Sequence, residues 1–107
     1  MRIGLIDVDS VGPNYLFMVI STYHKGIGDE VEWYSPFTDT YDIVYMYKSS
    51  KESEEYDLII NSHEVVKGGP AYMDELCFYN LPSYILKLTP DYTLYPGINE
   101  KNKTKPT

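Results

Sequence analysis

Met1-Arg-Ile-Gly-Leu-Ile-Asp7, followed by Val8-Asp9-Ser10-Val11-Gly12-Pro13-Asn14, decides how this chain folds. Residues 2–7, the first strand, are nearly all apolar and do not alternate, the pattern of a strand covered on both faces, as in a parallel sheet. The strand ends in two carboxylates, Asp7 and Asp9. Pro13, a residue favoured at the first helical position, then opens a helix that runs to about Lys25. Leu16, Ile20 and Tyr23 fall on one face of that helix, Phe17 and Val19 widen it, and Gly26 and Gly28 stop it. A strand, two carboxylates and an amphipathic helix open a parallel α/β domain, whose ligands gather at the carboxyl ends of the strands.

Working outward, residues 30–34 (Glu-Val-Glu-Trp-Tyr) alternate and read as a second strand, broken by Ser35-Pro36-Phe37. Residues 41–48, rich in aromatic and β-branched side chains, form the third. Residues 49–55 are a polar connector. Residues 56–60 fit a short strand or a remnant of helix, and 64–67 a further strand closed by Gly68-Gly69-Pro70. A short helix with Pro82 at its start is expected over 81–88 and an edge strand over 93–95, with a polar, mobile tail after Pro96. The expected architecture is a small three-layer flavodoxin-like or Rossmann-like α/β domain over residues 1–96, its mainly parallel sheet of four or five strands.

Composition narrows the function. The chain has 107 residues and a net charge of −7. Residues 97–107 carry three lysines against Glu100, a net of +2, which leaves −9 on residues 1–96. So acidic a body repels phosphate backbones and suits a basic protein surface. Twelve tyrosines supply flat contact area with a polar tip. The single cysteine, Cys77, excludes an internal disulfide and a multi-cysteine metal or iron–sulfur site, and with no basic neighbour it reads as an inert small hydrophobe. The N-terminus lacks a signal-peptide pattern, and the longest apolar run, residues 15–20, is far short of the ~18 residues of a membrane span. A cytoplasmic protein is expected.

Asp7-Val8-Asp9 fits the haloacid-dehalogenase phosphatase pattern, with Asp7 as nucleophile, Asp9 as general acid and a magnesium ion between them. No acidic pair follows a later strand to complete such a site. The favoured reading is a strand-end loop whose carboxylates approach the helix N-terminus, worth ~0.3–1 kcal/mol each. His24 reads as a residue welcomed by the negative end of the helix, and His63 as part of a turn before the fourth strand. Neither has metal-ligand spacing. Gly68-Gly69 fits equally a close approach of ligand to backbone, at the edge shared with Asp7 and Asp9, and a tight turn needing positive φ.

Residues 1–9, Pro13-Asn14, 21–25, 28–34, 41–46, 63–69 and 90–95 together resemble the N-terminal region of a bacterial radical SAM family. The resemblance implies a cobalamin-binding-like Rossmann domain. The family follows its Asp-x-Asp with Gly-His-Asn-Phe-Pro-Asn, whereas Ser10-Val11-Gly12-Pro13-Asn14 stands here without the histidine. Cys77 alone cannot form the family's three-cysteine cluster motif, so no iron–sulfur cofactor and no radical SAM catalysis are expected.

A domain of this kind without its catalytic partner is expected to act by binding. The primary expectation is a non-catalytic interaction module, resembling in kind the anti-CRISPR proteins of phages, with a type VI RNA-guided nuclease as partner. The contact residues expected for it are Glu52, Glu54 and Glu55, then Asp74 and Glu75 with Tyr72 and Tyr79 as aromatic anchors. A homodimer is compatible with this reading. The alternative is a cobalamin- or nucleotide-binding accessory domain that serves a separate radical SAM subunit.

Overall fold

The computed structural model describes residues 1–9, 13–50, 52–54, 59–69, 71 and 81–95. Four strands form one sheet: β1 (Arg2–Asp7), β2 (Glu30–Trp33), β3 (Tyr41–Tyr47) and β4 (Ser62–Gly68). Their order is β2-β1-β3-β4, every pair is parallel, and one helix, α1 (Tyr15–Gly26), joins β1 to β2. This is the α/β, flavodoxin-like architecture that the opening residues imply. The chain leaves β1 to one side, to β2, and returns to the other, to β3, which puts the topological switch point at the carboxyl end of β1.

Helix α1 starts two residues later than Pro13 suggests. Asn14 is the N-cap, its side-chain oxygen accepting from the Phe17 N–H at 3.2 Å, and Pro13 precedes it. An amide oxygen can satisfy an orphan N–H, which proline cannot do. The helix ends as Gly28 adopts φ +93°, with Gly28 N–H on the Lys25 carbonyl and Asp29 N–H on the His24 carbonyl. These two bonds make a Schellman motif, which only a residue tolerant of positive φ closes without strain.

Apolar residues are buried on both faces of the sheet. On one, Ile3, Leu5, Tyr45 and Val66 meet Leu16, Phe17, Val19 and Ile20 of α1, joined by Ile85 and Leu94 from later in the chain. On the other, Ile6, Val44 and Met46 pack with Tyr41, Tyr34 and Ile60. Residues 34–40 alone carry the chain from β2 to β3, a crossover of seven residues where parallel strands usually need a dozen or more and a helix. Gly4 makes room for it: a Cβ there would lie 3.0 Å from the Tyr41 ring and 3.2 Å from Val44. The fully buried Tyr41 ring rests on that bare stretch of β1, and the Arg2 guanidinium lies 4.7 Å from its centroid.

Two elements near the end of the described chain differ from expectation. Residues Ser83–Lys87 form a 3₁₀ segment capped by Pro82 in place of a helix over 81–88. Residues Tyr92–Leu94 form a 3₁₀ turn in place of an edge strand. Asp91 accepts from the Thr93 N–H at 3.0 Å and from its hydroxyl at 2.5 Å, a local bond that turns the backbone out of the extended form. Glu55, Tyr72, Asp74, Glu75, Cys77, Tyr79, most of residues 56–60 and the tail lie outside the described residues. Among the described residues, no helix is long and apolar enough to cross a membrane.

Candidate functional site

The carboxyl edge of the sheet brings the sequence candidates into one row. Asp7 of β1 is level with Tyr47 of β3, which is level with Gly68 of β4, and the ladder continues through Val8 N–H to the Tyr47 carbonyl at 2.9 Å and Lys48 N–H to the Gly68 carbonyl at 3.2 Å. Asp7, Asp9, Gly68 and Gly69 thus share the edge that the strand order marks.

The two aspartates part there. Asp9 holds the loop after β3. Its carboxylate accepts from the Ser49 N–H (2.9 Å), the Ser50 N–H (2.8 Å), and the hydroxyls of Ser49 (3.0 Å) and Ser53 (2.9 Å). Burial pushes this carboxyl up, but the four donors outweigh it and hold it at about 2. Asp9 is therefore ionised at neutral pH with both oxygens engaged, ill placed to donate a proton. The expectation that both carboxylates approach the helix start holds for Asp7 alone, because the serine-rich loop offers Asp9 more donors than the first turn of α1 can.

Asp7 keeps to the start of the helix. Burial raises its carboxyl, the Asn14 side chain opposes this, and the Asp9 charge adds to it. Asn14 also donates its N–H to the Tyr95 hydroxyl at 3.0 Å. Burial and the Asp7 charge raise the Tyr95 phenol, against the Asn14 bond. Burial, then the charges of Asp7 and Asp9, raise Tyr47. Half-buried Asp7, Asn14, Tyr47 and Tyr95 thus form a polar group at the switch point. Of these the sequence singled out Asp7 alone; an asparagine directly before an apolar helix was the available sign of Asn14, and the Ser49-Ser50-x-x-Ser53 spacing that of the Asp9 clasp.

At Gly69 the turn accounts for the glycine. Its φ is +99°, and a Cβ would lie 2.6 Å from the Lys48 carbonyl and 3.1 Å from the Tyr47 ring. What approaches this backbone closely is the chain itself.

Both histidines stand at the opposite, amino end of the sheet. His24 stands in the last turn of α1, as its sequence position implies, and is buried there, Nδ1 lying 2.8 Å from Asp29 and Nε2 2.8 Å from the Tyr45 hydroxyl. His63 lies within β4 and is exposed, not in a turn before it, because Ser62 and Asn61 already continue the ladder beside Tyr41. A corrinoid ligated by histidine at the carboxyl edge does not fit these positions. Among the described residues, no group of three or more His, Cys, Asp or Glu could hold a metal ion.

The remaining carboxylates among the described residues fall into two sets. Asp29, Asp42, Glu32 and Asp91 are tied into the fold: Asp42 takes the Arg2 N–H at 2.7 Å, Glu32 the Arg2 guanidinium at 3.1 Å and the Tyr41 hydroxyl at 2.6 Å, and Asp91 the Lys25 ammonium at 2.6 Å and the Ser21 hydroxyl at 2.7 Å. Glu30, Asp39, Glu52, Glu54 and Glu64 are exposed, and none forms an ion pair with a described residue. Glu52 and Glu54, expected from the sequence as contact residues, belong to this second set. Comparison with protein-family models, with curated proteins and with solved structures finds no match to this chain.

Proposed function

We propose that this chain is a non-catalytic protein-interaction module whose exposed carboxylates engage a basic surface on a partner protein. The observation that carries the reading is the division of the carboxylates. Those that stabilise the fold are internally bonded, while the carboxylates of Glu52, Glu54, Asp39 and Glu64 form no ion pair with a described residue. Unneutralised surface charge contributes little to stability and much to the rate and choice of association. The Asp9 clasp adds to this by fixing the base of the Glu52–Glu54 loop, so that its charges are presented on an ordered support.

The partner class we assign is an RNA-guided nuclease of type VI, whose nucleic-acid channel is basic by necessity. The chain would then act as a phage-type anti-CRISPR inhibitor that occupies or flanks that channel. Binding of the triple variant Glu52→Lys/Glu54→Lys/Glu64→Lys to the purified nuclease, followed by surface plasmon resonance at several salt concentrations, tests this. Association should slow at least about tenfold, and the wild-type rate should fall as salt rises and the Debye length shortens to about 8 Å. Unchanged association and unchanged salt dependence would remove the reading.

A second reading has one observation in its favour: the half-buried Asp7, with Asn14, Tyr47 and Tyr95, lies at the switch point where α/β domains bind nucleotides and similar ligands. An accessory domain of this kind, carrying a small molecule for a separate enzyme subunit, predicts perturbed amide resonances of Asn14 and Asp7 on titration with a nucleotide or hydroxocobalamin.

A further inference from the structure

At the carboxyl edge of the sheet four aromatic rings gather around Asp7. Asp7 and Tyr47 are level in the β1–β3 ladder, and Trp33 is level with Leu5, which shares the face of β1 that carries Asp7. The rings run in an arc from Tyr95 through Trp33 and Phe17 to Tyr47, with successive centroids 5.4, 5.9 and 6.0 Å apart. Successive planes are inclined at 71°, 66° and 72°, so no ring stacks flat on the next. Both ends of the arc return to Asp7: burial and the Asp7 charge raise the phenols of Tyr95 and Tyr47 alike. Two bonds fix the arc from outside, the Trp33 indole N–H donating to the Leu94 carbonyl at 3.1 Å and the Asn14 N–H to the Tyr95 hydroxyl at 3.0 Å. Trp33 is 37% exposed and Asp7, Tyr47 and Tyr95 are half-buried, so the group opens to solvent.

Charge decides what fits there. Asp9 gives its oxygens to the loop after β3, whereas Asp7 forms no ion pair with a described residue. A phosphate would meet both carboxylates and be repelled. A hard metal ion asks for several oxygen ligands, and one carboxylate among rings supplies few. What suits a half-buried carboxylate walled by aromatic rings is an organic cation. The ring faces attract positive charge through their quadrupole, and the carboxylate balances it. A primary ammonium is strongly hydrated and gives up its water reluctantly, while an alkylated ammonium is weakly hydrated and loses little on entering. We infer that Asp7, Tyr47, Tyr95 and Trp33 bind a small quaternary ammonium ion, a ligand class that rests on the second reading of the switch point and not on the basic partner. The cation lies against the Asp7 carboxylate, between the Tyr47 and Tyr95 rings, with Trp33 as the outer wall. The net charge of −7 favours its approach.

NMR titration of the chain with choline tests this. The comparison ligands are AMP and the neutral isostere of choline, in which a tert-butyl group replaces the trimethylammonium, and the variant is Asp7→Asn. Choline should move the Trp33 indole N–H and the Asn14 amide of the wild-type chain. The isostere has the same shape without the charge and should bind roughly tenfold more weakly or worse, as should choline to Asp7→Asn. An unliganded variant whose indole resonance stays at its wild-type position has kept the Trp33–Leu94 contact and the fold around it. Should the variant not fold, the isostere comparison on the wild-type chain decides alone. Wild-type resonances that choline leaves in place overturn the inference. So does an isostere that binds as tightly as choline, or an Asp7→Asn chain that binds choline as tightly as wild type. If AMP moves the Asn14 amide where choline does not, the switch point takes a ligand of another class and only this inference falls. If neither moves it, the second reading falls with it.

Discussion

The two faces of the sheet are closed by different means. On one, α1 lays a stripe of Leu16, Phe17, Val19 and Ile20 over Ile3, Leu5 and Tyr45. On the other, the described cover is centred on one tyrosine. Tyr41 lies across the glycine gap in β1, and its hydroxyl donates to Glu32 at 2.6 Å while accepting from the Ser35 N–H at 3.1 Å and the Thr38 hydroxyl at 3.3 Å. Burial, then the Glu32 carboxylate, raises its phenol, as expected for a hydroxyl kept in its neutral, donating form. The first face is held by a stripe of several apolar side chains, aliphatic and aromatic, the second by one ring and three polar partners that also shape the short crossover. Burial of similar quality can therefore come from periodicity or from a hub, and a hub fails all at once.

The largest effects test that difference. Phe17→Ala and Tyr41→Ala should each cost about 3–5 kcal/mol, the range for losing a buried aromatic ring. Tyr41→Phe keeps the ring but leaves Glu32 and the Ser35 N–H short of a partner, so it should cost ~1–3 kcal/mol. Urea midpoints with the slope m held constant read these values. A Tyr41→Ala chain as stable as wild type would mean that the second face is closed without the hub.

What the sequence disclosed follows the same division. The bounds of β1, the Gly26–Gly28 stop of α1 and the parallel sheet were legible because unbroken apolar runs, periodic stripes and glycine signals are local. Nothing local marks Tyr41 as the cover of Gly4, since the two are distant in sequence and meet only once β1 and β3 pair. Asp91 drawing residues 92–94 into a turn was readable in principle as an aspartate two residues before a threonine, where an edge strand over 93–95 was expected instead. At the candidate site, the edge holding Asp7, Asp9, Gly68 and Gly69 was legible because each follows an apolar strand and parallel strands end together. The division of labour between its aspartates was not, because it depends on where the serines of another loop arrive.

The two glycines at positive φ sharpen the contrast between a turn in open solvent and a turn against the sheet. Gly28 has nothing within 4 Å of a Cβ position, so Gly28→Ala should cost only the backbone strain, about 1–2 kcal/mol. Gly69→Ala meets the Lys48 carbonyl at 2.6 Å besides the same strain and should cost roughly 3 kcal/mol. Equal thermal midpoints for the two variants would show that the turn after β4 yields as freely as the end of α1.

The smallest effect separates two carboxylates that stand two residues apart. Asp9 is held at about 2 in the fold, against ~3.9 in an unfolded chain. Its stabilisation is therefore fully present above about pH 4 and drains away as the pH falls towards 2. After allowance for solvent screening at this partly exposed group, Asp9→Asn should cost ~1 kcal/mol at neutral pH and remove part of the acid-induced loss of stability below about pH 4. Asp7 has the opposite sign. Burial raises its carboxyl, so the folded state takes up the proton more readily than the unfolded one, and the charged form opposes folding at neutral pH. That opposition is relieved as the pH drops through the raised value. Asp7→Asn keeps a hydrogen-bonding group facing Asn14 and discards the charge, so its stability at neutral pH should equal or exceed that of wild type by a few tenths of a kcal/mol, at the scale of exposed electrostatic effects. Urea unfolding of both variants between about pH 2 and pH 7 reads the two signs directly. If Asp7→Asn loses as much as Asp9→Asn at neutral pH, Asp7 is a second structural clasp, and the switch-point group offers a ligand no underused carboxylate.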